Sequence, residues 1–135
     1  MAGICRASPR TDRKAQGWSM TDRELLELAA KAAGIKHVDY TGIDYDGRHG
    51  FELVGEYGRH IGTWNPLQDD GDALRLAVTL GLDLELHGLN ATMPYCAAVY
   101  DCSRGLAIEQ EFTGDIMSTA RLAIVRAAAE IGKNL

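Results

Sequence analysis

Between Asp69 and His87 the apolar residues change period, and that change limits the chain to folds joining helix directly to sheet. Ala73, Leu76, Ala77 and Leu80 recur at helical spacing, Gly81 interrupts, and Leu82, Leu84 and Leu86 then alternate with Asp83, Glu85 and His87. The first pattern is one face of a helix over about 70–80 and the second a half-buried strand. Gly81 between them supplies the left-handed residue that ends a helix.

The same logic extends in both directions. Thr21 and Glu24 have capping-box spacing, Leu25, Leu28, Ala29 and Ala32 form a stripe, and Gly34 follows, so a helix is expected over 21–33. Tyr95–Tyr100 and Leu106–Phe112 are strand candidates joined by a turn over 101–105, and with 82–87 they make an antiparallel meander across 82–112. Ala97, Ala98 and Val99 form a continuous apolar run, which predicts burial on both faces. A last helix is expected over about 115–131, with Ile116, Ala120, Ala123, Ile124, Ala127 and Ile131 on one face, Arg121, Arg126 and Glu130 away from it, and Gly132 at its end. Between 35 and 63 six glycines limit regular structure, and only short strands near Val38–Tyr40 and Phe51–Val54 are expected. Three helices and a mainly antiparallel sheet of at least three strands give an α+β fold, with an α/β/α sandwich covering the sheet best.

A chain of 135 residues, 46% hydrophobic and 24% charged, fits one domain. Residues 1–19 differ: four basic residues and one acid give +3, against ten basic and eighteen acidic residues (−8) in the remainder. With Pro9, Gly17 and few apolar residues, 1–19 reads as a disordered N-terminal extension preceding a single domain over 20–135. Met20 just before the first helix makes an upstream extension the alternative account of it. The net charge of −5 opposes non-specific nucleic-acid binding. No apolar run approaches a membrane span. Cys5, Cys96 and Cys102 form no CxxC pair, and reduced thiols in a cytosolic compartment are the simplest expectation.

One segment carries more than fold. Trp64-Asn65-Pro66-Leu67-Gln68-Asp69-Asp70-Gly71-Asp72 sets an aromatic, a rigid turn and three carboxylates against the start of the middle helix. As structure, Pro66 fixes the turn, Trp64 anchors it, Asp69 caps the helix, and Asp70 and Asp72 complement its dipole. As function, Trp64, Asn65, Asp69, Asp70 and Asp72 suit a protein partner or a small ligand. A metal site is the third reading, although the spacing fails the calcium-loop pattern. Asp44-Tyr45-Asp46-Gly47 resembles half such a loop but finds Leu53 where the closing Glu belongs, which leaves a polar turn. His37, His49, His60 and His87 are scattered, with His49 and His60 in the glycine-rich segment that leads to the elbow and so the candidate pair to approach it. Phosphate loops, GxSxG elbows and HExxH are absent, so no catalytic residue and no cofactor is assigned.

Thr21–Gly34, the elbow through Ala77, and Ala123–Gly132 together resemble the phage ABA-sandwich domain family, small proteins of bacteriophages and prophages. The resemblance spans about residues 20–132, with Trp64-Asn65-Pro66-Leu67 its most specific part, and it leaves 1–19 outside. It implies an α/β/α sandwich encoded by a phage or prophage, and it brings no defined activity. The leading expectation is a non-enzymatic accessory module that binds another protein, as a monomer or as a homodimer. The rivals are a small-ligand- or metal-binding protein or enzyme sited at the elbow, where His60 would join the acids, and an acidic mimic of DNA. The mimic would need Asp83, Glu85, Glu109 and Glu111 arrayed on one face.

Overall fold

The computed structural model describes residues 20–43, 49–54, 60–87 and 96–135. Along the chain these form α1 (Asp22–Ala33), β1 (His37–Ile43), β2 (His49–Val54), β3 (His60–Trp64), α2 (Asp70–Leu80), β4 (Asp83–His87), β5 (Cys96–Asp101), β6 (Leu106–Glu111) and α3 (Ile116–Lys133). The fold is α+β, as expected, with three helices and antiparallel strand pairs among the described residues. Strands β4-β5-β6 make the meander, and β1-β2-β3 make a second three-stranded sheet. Residues 1–19 and the Asp44–Gly47 turn lie outside the described residues.

Local signals place the helix ends. Thr21 Oγ1 accepts from Glu24 N at 3.1 Å while Glu24 Oε1 accepts from Thr21 N at 2.9 Å, closing the capping box. Gly34 (φ +72°) and Gly81 (φ +69°) take the left-handed conformation that ends α1 and α2. Asp115 caps α3 by accepting from Ser118 N at 2.8 Å.

The end of α3 departs from expectation. Gly132 does not terminate the helix but lies buried inside its last turn, and a Cβ there would collide with the Leu28 carbonyl of α1. Glycine is required by the close approach of two backbones. Leu25, Leu26, Ala29 and Ala30 are the buried positions of α1, a face rotated from the expected stripe. On α3 the burial runs almost all the way round, from Thr119 and Ala123 through Val125, Ala128 and Ile131, whereas Ile116 is exposed. A helix apolar on all sides is an interior helix. α3 has α1 and α2 as neighbours and also meets β5 and β6. One buried cluster draws on all three helices, on Phe51 and Trp64 of the first sheet, and on Ala97, Val99 and Ile108 of the meander.

The meander behaves as its alternation requires. In register, Leu84 faces Val99 and Val99 faces Ile108, so these three share the face toward α3. Cys96 to Val99 are all buried, consistent with the apolar run. The described stretches 37–43, 49–54 and 60–64 are each regular strand, more than six glycines suggest. The third of them, His60–Trp64, was absent from expectation, and the register is irregular in both pairings.

The β5–β6 turn is tied by Asp101. Its carboxylate accepts from Ser103 N at 3.2 Å and Ser103 Oγ at 2.7 Å, and it pairs with Arg104. Arg104 also reaches the Leu80 carbonyl at the end of α2, 3.5 Å away. The Ser103 hydrogen bonds, then the Arg104 guanidinium, hold the Asp101 carboxyl below its ordinary value. Cys102 in this turn is free and exposed, whereas Cys96 is engaged in a disulfide, which corrects the expectation of reduced thiols throughout.

Two outcomes follow from these contacts. Gly132→Ala should cost about 1–3 kcal/mol, since α1 and α3 must separate to admit the methyl; urea unfolding measures it, and an unchanged midpoint would contradict the close approach. Asp101, being more acidic folded than unfolded, stabilises fully above the unfolded carboxyl value of ~3.9 and loses that contribution as pH falls through its lowered folded value. Asp101→Asn should therefore be less stable than wild type at neutral pH, with the gap narrowing below about pH 4 in acid titrations followed by circular dichroism.

Candidate functional site

The elbow is a hydrogen-bonded joint between β3 and α2. Trp64, at 4% exposure, ends β3 opposite Phe51, and the two rings stack with centroids 6.2 Å apart. Asn65 is 3% exposed and Pro66 is fully buried. The Asn65 side chain accepts from Leu67 N at 3.0 Å, and its carbonyl accepts from Gln68 N at 3.0 Å and Asp69 N at 2.8 Å. This is the Asx-turn chemistry that makes asparagine a turn former.

The three aspartates have diverged in role. Asp69 caps α2 by accepting from Asp72 N at 2.8 Å. Asp72 is buried, and its two oxygens accept from Asn65 N and from Arg75 Nη2, both at 2.9 Å. Asp70 is exposed and pairs with Arg121 of α3 at 2.5 Å. Arg121 also donates to the Leu67 carbonyl at 2.9 Å, bolting the elbow onto α3. The carboxylates thus point to different partners. Among the described residues no three His, Cys, Asp or Glu side chains are placed to hold a metal ion. His60 begins β3 and Trp64 ends it. Four residues of extended chain put about 13 Å between their backbones.

Beside this joint lies a cavity of about 390 Å³. Ala33 and Ile35 at the end of α1, Leu53 of β2, and Leu76 of α2 give it apolar walls, with Trp64 behind. Gly62, Thr63 and the exposed Thr79 complete the lining, with Thr63 at a strand position that alternates away from Leu53 and Trp64. The Asp72–Arg75 pair stands at the rim, with Arg75 largely exposed.

A second array lies on the meander. Asp83 and Glu85 of β4 and Glu109 and Glu111 of β6 share the face turned away from α3, with Tyr100 between the strands. Burial pushes the Tyr100 phenol above its ordinary value, and Glu85 and Glu109 push it further. His87 Nε2 lies 3.3 Å from Glu85 Oε1 on the same face.

Sequence reasoning found the elbow and the capping aspartates but missed three things. Arg121, expected to lie away from the packed face, is the elbow's fastener, and the 51 residues separating it from Asp70 left no local signal. The cavity gathers residues from α1, β2, β3 and α2, which no spacing rule unites. Leu74 and Val78 are exposed at 62% and 71%. They fall one turn apart and off the Ala73–Leu76–Ala77 face, so a helical wheel could have flagged them.

No protein-family model and no curated protein sequence matches the chain. Among solved structures, a phage protein from Bacillus cereus ATCC 14579 is similar, with a TM-score of 0.54 and 17% identity over 87% of this chain and 91% of that one. At that identity the likeness is one of fold. No helix among the described residues is long and apolar enough to cross a membrane.

The joint makes a graded expectation. Asp72→Ala should cost about 1–3 kcal/mol, because it leaves the buried Asn65 N–H unpaired. Asp70→Ala, which breaks an exposed pair, should cost under ~1 kcal/mol. Denaturant midpoints of the two variants test the order, and equal losses would contradict the division of roles.

Proposed function

We propose that this is an accessory protein encoded by a phage or prophage, related to the ABA-sandwich proteins, that acts by holding a protein partner and not by catalysis. Supporting the origin is the fold it has in common with a phage protein, together with the Trp64-Asn65-Pro66-Leu67 elbow. Residues 20–135 act as one domain in this reading, in the host cytoplasm and without a cofactor. The elbow enters it chiefly as scaffold, since Trp64 and Asn65 are enclosed and Asp69 and Asp72 are engaged in capping and bracing α2.

The observation that carries the reading is the outer face of α2. Leu74 and Val78 are large apolar side chains exposed one helical turn apart, with Arg75 and exposed Asp70 beside them. An apolar centre with a charged rim is the anatomy of a protein interface. Asp70, exposed but paired with Arg121, is the proposed site residue that lies at the edge of that face.

The test is a pull-down from the host with wild type and with Leu74→Asp/Val78→Asp, whose changes lie on exposed positions. A partner retained by wild type and lost by the double variant is expected. Identical recovery, or none with either protein, would count against the α2 face. Light scattering of both proteins determines whether the partner is a second copy of this chain.

A further inference from the structure

We infer that the outer face of the meander is the docking surface for this chain's own residues 1–19, strapped over it by a disulfide between Cys5 and Cys96. This face is separate from the outer face of α2, and neither reading depends on the other.

Strand alternation places the anchor. β5 is the middle strand, and its Val99 lies between Leu84 and Ile108 on the side of α3. Cys96 therefore points to the other side, between His87 and Glu111, and Ala98 does so between Glu85 and Glu109. Ala97, Val99 and Ile108 belong to the core cluster, whereas Cys96 and Ala98, at 4% and 0% exposure, are buried outside it. Two small side chains enclosed on the side of a sheet away from its helix point to a cover that the core does not supply.

The bond names the cover. Cys96 is disulfide-bonded, Cys102 is free, and the chain has one further cysteine, Cys5. Within one chain, Cys5 is therefore the partner of Cys96. It stands in the basic N-terminal segment, next to Arg6 and ahead of Arg10, Arg13 and Lys14. The roughly fifteen residues from Cys5 to Met20 reach up to ~50 Å when extended. A domain of this size is roughly 35 Å across, so the strap can cross it.

Charge matches as well. Asp83, Glu85, Glu109 and Glu111 are exposed on this face, and the segment opposite them carries a net +3. A segment too polar to fold alone gains contacts once a tie raises its local concentration to about the millimolar range, where weak ion pairs suffice. Reduction by a dithiol exchanges the Cys5–Cys96 bond for a cyclic disulfide in the reductant, whose two protons end on the two cysteine sulfurs. The strap then rests on the ion pairs alone, so the face is covered under oxidising conditions and opened under reducing ones.

The experiment uses the whole chain purified without reductant. After alkylation it is digested with trypsin and with chymotrypsin, which cuts after Tyr100 and so separates Cys96 from Cys102. Mass spectrometry should find a cross-linked peptide joining Cys5 to Cys96, and an alkylated Cys102. Docking is read separately, as the rate of tryptic cleavage at Arg10, Arg13 and Lys14 under conditions that leave the domain intact. Cys5→Ser, and wild type in dithiothreitol, should each be cut at least about tenfold faster than oxidised wild type. Glu85→Gln/Glu109→Gln/Glu111→Gln keeps the bond and should be cut several-fold faster than wild type, with a weaker dependence on salt. A Cys96–Cys102 bond, a Cys96 bond to a second chain, or free thiols at both Cys5 and Cys96 overturns the inference. So does cleavage of oxidised wild type as fast as Cys5→Ser, or a rate untouched by the three glutamines.

Discussion

Everything in this fold is arranged around how closely α1 can approach α3. α3 has α1 and α2 beside it and also meets β5 and β6, so it has almost no solvent side over its central turns. Helix axes pack about 8–10 Å apart according to the side chains at the contact. Ala123, Ala127, Ala128, Ala129 and Gly132 keep α3 thin enough for neighbours on several sides, and at Gly132 even a methyl is too much. Small residues give close contact but little buried area each, so polar fasteners reinforce the packing at two places. Arg126 reaches Gln110 Oε1 at 2.7 Å and the Glu109 carbonyl at 3.2 Å on β6, and Arg121 reaches the elbow.

The elbow shows how such fastening bears on chemistry. For Asp72 to act as a base or bind an ion, it would have to share oxygens that already accept from the buried Asn65 N–H and from Arg75. For Asp69 to act, α2 would lose its cap. The energies that make the joint rigid are the same ones that hold these carboxylates away from other work. Of the three, only Asp70 could leave its partner at small cost, because the Arg121 pair is exposed on the Asp70 side.

What the sequence revealed follows the range of the forces involved. Helix α1 was legible to its ends because Thr21, Glu24 and Gly34 act within a turn of where they sit, and Asp69 and Gly81 did the same for α2. The meander was legible because a sheet with one face on a helix must alternate, and Leu82, Leu84 and Leu86 do. Strand β3 was not, since His60-Ile61-Gly62-Thr63-Trp64 shows its β-forming residues without a clean alternation and places a glycine at φ +150° in mid-strand. Gly132 read as a helix terminator because local chemistry gives glycine that meaning, and the true reason is a carbonyl more than a hundred residues away in sequence. The elbow's composition was legible and its loading was not, since Arg121 arrives from the far end of the chain.

Helix α2 gathers these constraints onto one cylinder. At 100° per residue, Ala73, Leu76 and Ala77 point to the core, Asp72, Leu76 and Thr79 border the cavity, and Leu74 and Val78 face outward. Arg75 falls between the last two sectors, with its guanidinium on Asp72 and most of its surface in water. It is therefore the one side chain that borders both the cavity and the exposed apolar pair. A change in its position alters the rim of the first and the edge of the second together. Because Asp72 also holds the Asn65 backbone, that movement is tethered to the elbow and so to α3, which limits how far either surface can change without loosening the joint that supports both.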